Sequence, residues 1–109
     1  MKRPASVRVM GKKIAVHFVP SGHALLRDGP EDNDPGLGRS DGLTQVIAVE
    51  EGQPLASEQD CVLHEVLHHV EYAMKLDVPE EIVEKFASCL LAVIKDNPVL
   101  ATYLRQREK

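Results

Sequence analysis

A chain of 109 residues has the length of one compact unit, so a single domain is expected over 1–109. A formal net charge of −4 with no basic stripe speaks against a nucleic-acid partner, and no apolar run approaches a membrane span. With 4% aromatic residues and no Trp, aliphatic side chains must fill whatever core forms.

In chain order, residues 7–19 read as a β-hairpin. Val7 and Val9 alternate with polar neighbours, as do Ile14, Val16 and Phe18 after the turn Gly11-Lys12. Pro20 ends the second strand, because it has no N–H for the ladder. Residues 20–42 are rich in Gly, Pro and Asp and read as a long irregular loop, a candidate rim for a site. Leu43 to Glu50 reads as a third strand.

The second half is helical. Ser57 is placed as the N-cap of a helix whose buried face holds Leu63, Val66, Leu67, Val70, Ala73 and Met74. Asp77-Val78-Pro79 breaks it, and Glu80 and Glu81 suit the start of a second helix with Val83, Phe86, Ala87, Leu90 and Ile94 as its stripe. Asn97-Pro98 opens a short last helix to about Arg107. Strands followed by helices make the class α+β: about three short strands packed on two helices, with a third at the end. Cys61 and Cys89 fall on the expected buried faces, so free thiols and a reducing compartment follow. Nothing at the N-terminus looks like a signal peptide, so a soluble, cytoplasmic protein is expected.

The run His64-Glu65-Val66-Leu67-His68 carries the chemistry. Two histidines four apart on a helix share one face, so their imidazoles can converge on one tetrahedral Zn2+. Glu65, offset by one residue, stands beside the metal, where a general base takes a proton from activated water. With 5 His in this composition, the pattern arises in roughly 2% of random rearrangements, so chance explains it poorly.

A third ligand is needed. His69 is turned about 100° from His68 and reads as a supporting or surface residue. His17 and His23 stay open. On the next helix Glu81 points away from the apolar stripe, while Glu80 and Glu84 both flank it. Counting about 1.5 Å per residue along an antiparallel pair favours Glu84, with Glu80 as the alternative.

H-E-V-L-H followed by a helical glutamate resembles the gluzincin branch of the zincin metallopeptidases. Glu84-Lys85-Phe86-Ala87-Ser88 is similar to the glutamate helix of zinc aminopeptidases. In length and layout the chain looks most like the minigluzincins and the small predicted metallopeptidases of phages and prophages, over about residues 40–100. The resemblance implies zinc held by His64, His68 and Glu84, with Glu65 as base and a peptide or protein as substrate. It also implies that the strand 43–50 edges the cleft and pairs with that substrate. Tyr72, Tyr103 and His23 are candidates to steady the oxyanion. The rival reading is a zincin-like binding module that keeps the metal and cleaves nothing. A purely structural zinc site fits less well, because it has no use for Glu65.

Overall fold

The computed structural model describes residues 3–27 and 36–108. The fold is α+β, a four-stranded N-terminal sheet followed by three helices. The strands are β1 (Ser6–Val9), β2 (Lys12–Val19), β3 (Gly38–Asp41) and β4 (Val46–Glu50). The helices are α1 (Leu55–Met74), α2 (Glu80–Asp96) and α3 (Pro98–Arg105). The expected hairpin is present, with β1 and β2 antiparallel and Val7 opposite Ile14. Met10 and Gly11 turn it with positive φ, as tight hairpin turns require.

Two expectations change. The stretch 20–42 is not wholly irregular: residues 28–35 lie outside the described residues, but Ala24–Leu26 form a 3-10 turn and Gly38–Asp41 form β3. The strand expected at 43–50 begins at Val46 and is not an edge. The sheet order is β1-β2-β4-β3, so β4 is interior, parallel to β2 and antiparallel to β3. An interior strand has both ladders filled and cannot accept a further chain. The edge strands are β1 and β3, and β3 is the one that borders the cavity described below.

Side-chain alternation divides the sheet into two faces. Val9, Ile14, Val16, Ile47 and Val49 are buried toward α1, packed with Phe18, Val62, Val66 and Val70. On the other face Val19 and Ala48 are covered by Leu26 of the 3-10 turn. Register then fixes what β3 presents to α1. Ser40 is opposite Ile47 and Gly38 opposite Val49, so both face the helix, whereas Arg39 and Asp41 face away.

Helix α1 begins at Leu55 rather than after Ser57. Pro54 occupies the N-cap position, and Ser57 Oγ instead donates to Gln53 Oε1. Glu58 lies in the first turn of α1. It is buried, and Arg3 donates to both its oxygens at 2.9 and 2.8 Å while lying 5.0 Å from the Phe18 ring centre. Arg3→Ala should therefore lower the urea midpoint by stranding a buried carboxylate. Arg3→Ala/Glu58→Met should recover part of that loss, and no recovery would show that the pair contributes more than its own desolvation.

Helix α2 buries only Val83 and Ala87 among its described residues; Phe86, Leu90 and Ile94 of the expected buried stripe are exposed. Cys89 is exposed as well, contrary to the buried position expected of it, and Cys61 is half-buried; both thiols are free. No helix among the described residues is long and apolar enough to cross a membrane.

Candidate metal centre

The middle of α1 places His64, Glu65 and His68 together, with ligand atoms of the three within 4.8 Å of one another. This group could hold a metal ion. The Nε2 atoms of His64 and His68 are 3.1 Å apart. Glu80, at the first turn of α2, closes the third side. Its Oε1 lies 2.5 Å from His64 Nε2 and its Oε2 3.0 Å from His68 Nε2. Ligand atoms about 2.0–2.1 Å from a tetrahedral ion stand roughly 3.3 Å apart; the spacings here are shorter, and each Glu80 oxygen meets one imidazole. The imidazoles are largely buried, while Glu80 stands at the open side of the cavity.

Glu84, the preferred third ligand on the sequence, lines the same cavity, but the carboxylate that meets both imidazoles is Glu80's. The reason is the link between the helices. Lys75 ends α1 in a left-handed conformation. Residues 76–79 then run back along α1, and the Val78 amide donates to Glu71 Oε2 at 2.8 Å. Further on, Ser88 Oγ meets Asp60 Oδ1 at 3.0 Å. This register sets Glu80 level with His68 and Glu84 level with His64. Counting from the helix ends had placed Glu80 beyond the motif.

Glu71 is a residue that sequence reasoning missed. Its Oε1 accepts from His68 Nδ1 at 3.0 Å while its Oε2 takes the Val78 amide. An ionised carboxylate only accepts, so His68 Nδ1 donates to Glu71, and Nε2 is the ring nitrogen that faces the cavity. The Val78 amide first, then His68, hold the Glu71 carboxyl below the ordinary glutamate range. One side chain therefore orients a metal-ligand candidate and pins the segment that delivers Glu80. The signal in the sequence was its spacing, three residues after His68 on the same helix face.

Glu65 is buried. Burial pushes its pKa up, against the opposing pull of the Ser40 hydrogen bond and the two imidazoles. Ser40 Oγ donates to Glu65 Oε1 at 2.7 Å and lies 3.1 Å from the Glu65 carbonyl oxygen, leaving Oε2 free to take a proton. Gly38 leaves room for that oxygen, since a Cβ there would stand 2.8 Å from Glu65 Oε2. Gly38→Ala should therefore displace the carboxylate without touching the imidazoles. Metal affinity is expected to stay within about twofold and any Glu65-dependent turnover to drop about tenfold, from a shift of under an ångström. Equal loss of both would place Gly38's role in folding.

His69 is buried rather than on the surface. Its Nε2 lies 3.4 Å from the Val46 carbonyl, tying α1 to β4, and burial lowers its pKa. Of the three aromatic candidates, Tyr72 lines the cavity and stacks near His68, with ring centres 6.4 Å apart. His23 caps the 3-10 turn through Nδ1 and Tyr103 lies on α3; neither lines this cavity. His17 is exposed on β2, facing away from α1.

The cavity is about 590 Å3, walled by residues 37–40 of the β3 edge on one side and by α1 and α2 on the other. It is open and polar, a trough rather than a closed pocket. No protein-family model matches the chain, and neither a curated protein nor a solved structure does so.

Proposed function

We propose that the chain is a zinc-dependent peptide hydrolase of the zincin type. The observation that carries the proposal is the convergence of His64 Nε2, His68 Nε2 and the Glu80 carboxylate, with the Glu65 carboxylate beside them. Two imidazoles and one carboxylate are the donor set of a catalytic zinc site with an open fourth position. Bound there, zinc supplies Lewis acidity that makes water a nucleophile near neutral pH. Glu65 Oε2 takes the proton of the attacking water and passes it to the leaving amine. Ser40 holds Glu65 Oε1 so that this exchange occurs at one oxygen. An extended peptide pairs with the edge of β3 that no strand among the described residues occupies, the strand whose residues 38–40 wall the cavity. Tyr72 is the candidate donor to the developing oxyanion.

The test is cleavage of a mixed peptide library followed by mass spectrometry, before and after chelation and again with zinc restored. Cleavage lost on chelation and regained with zinc is expected. Stoichiometric zinc with no cleavage of any peptide would instead make the chain a metal-holding binding module.

A further inference from the structure

A second face of α2 carries a stripe that the fold leaves uncovered except at its half-buried first residue, Ile82. Ile82, Phe86, Cys89 and Val93 follow one another at steps of four, three and four, the spacing of a helix-packing seam. At 100° per residue they fall within about 60° of one another, and roughly 110° from the Val83–Ala87 face that meets α1. Phe86 is 59% and Val93 47% exposed, and Cys89 is exposed too.

We propose that two copies of this chain associate through this stripe, with their α2 helices antiparallel about a two-fold axis.

Charge favours a second copy over an unrelated partner. Lys85 and Asp96 lie about 20° apart on one flank of the stripe. Both are exposed, and among the described residues neither makes an ion pair within the chain. In an antiparallel two-fold pair each flank meets the same flank of the other helix. Lys85 then faces the second copy's Asp96, and Asp96 its Lys85. The same register sets Phe86 against the second copy's Val93 and brings the two Cys89 thiols near the axis. Glu80 is about 150° around the helix from the stripe, so dimerisation leaves the metal cavity open.

Sedimentation equilibrium on the full chain tests this, with circular dichroism as the check on folding. A mass twice the 12.1 kDa of one chain is expected at micromolar concentration. Phe86→Glu should return the chain to monomer. Lys85→Asp and Asp96→Lys should each weaken association about tenfold or more, and the double swap should restore it, since opposite charges again meet across the axis. Mild oxidation should link the native dimer covalently and leave Cys89→Ser unlinked. A monomeric native chain would overturn the proposal. So would a dimer indifferent to Phe86→Glu, or one that the double swap fails to restore.

Discussion

Glu65→Gln is expected to bind zinc as the native chain does while peptide hydrolysis falls by about 10²–10⁴-fold, the usual contribution of a general base. The amide keeps the shape of the carboxylate and can still accept from Ser40 Oγ, which lies 2.7 Å from Oε1 in the native site. What it loses is the capacity of Oε2 to take a proton. The imidazoles are held independently, His68 by Glu71 and His64 by its place on α1. Kinetics and zinc content measured on the same preparation separate the two effects. Activity that survives the substitution would remove Glu65 from the chemistry; loss of metal would make it a ligand rather than a base.

The second large effect concerns the third ligand. Glu80→Ala is expected to weaken zinc binding by at least 10-fold and Glu71→Gln by about 10–100-fold, whereas Glu84→Ala should change it little. The two losses have different origins. Glu80 takes a carboxylate out of the ligand triangle directly. Glu71→Gln offers one acceptor where His68 Nδ1 and the Val78 amide need two, so either the ring or the 76–79 segment is released. In the metal-free protein, faster hydrogen exchange at Val78 or a changed His68 tautomer in nitrogen-15 NMR would reveal which. Competition with a zinc indicator measures the affinities. If Glu84→Ala alone loses metal, the register that sets Glu80 level with His68 does not persist once the ion binds.

The histidine motif was readable because its geometry is local: four residues on one helix fix where two imidazoles stand. The third ligand was not, because its position depends on a link whose path no propensity encodes. Lys75 turns left-handed and the chain doubles back before α2 starts, which moves Glu80 toward the motif by about a turn. The hairpin of β1 and β2 was legible from alternation. Strand β3 was not, since Gly38-Arg39-Ser40-Asp41 has no apolar alternation and is a strand only because β4 offers it a ladder. Ser40 was invisible for the same reason: nothing marks a serine as a carboxylate's partner until the register turns it toward α1. The α2 stripe was read as buried because its apolar residues span a wide arc, yet a two-helix contact covers only part of it.

The most direct test of the central claim is zinc K-edge absorption spectroscopy on the native chain, paired with elemental analysis. One zinc per chain, with two imidazole nitrogens and a carboxylate oxygen at about 2.0–2.2 Å and His64→Ala and His68→Ala empty, is the expected result. A native chain that retains no stoichiometric metal, or one whose zinc persists after both histidines are replaced, would contradict it.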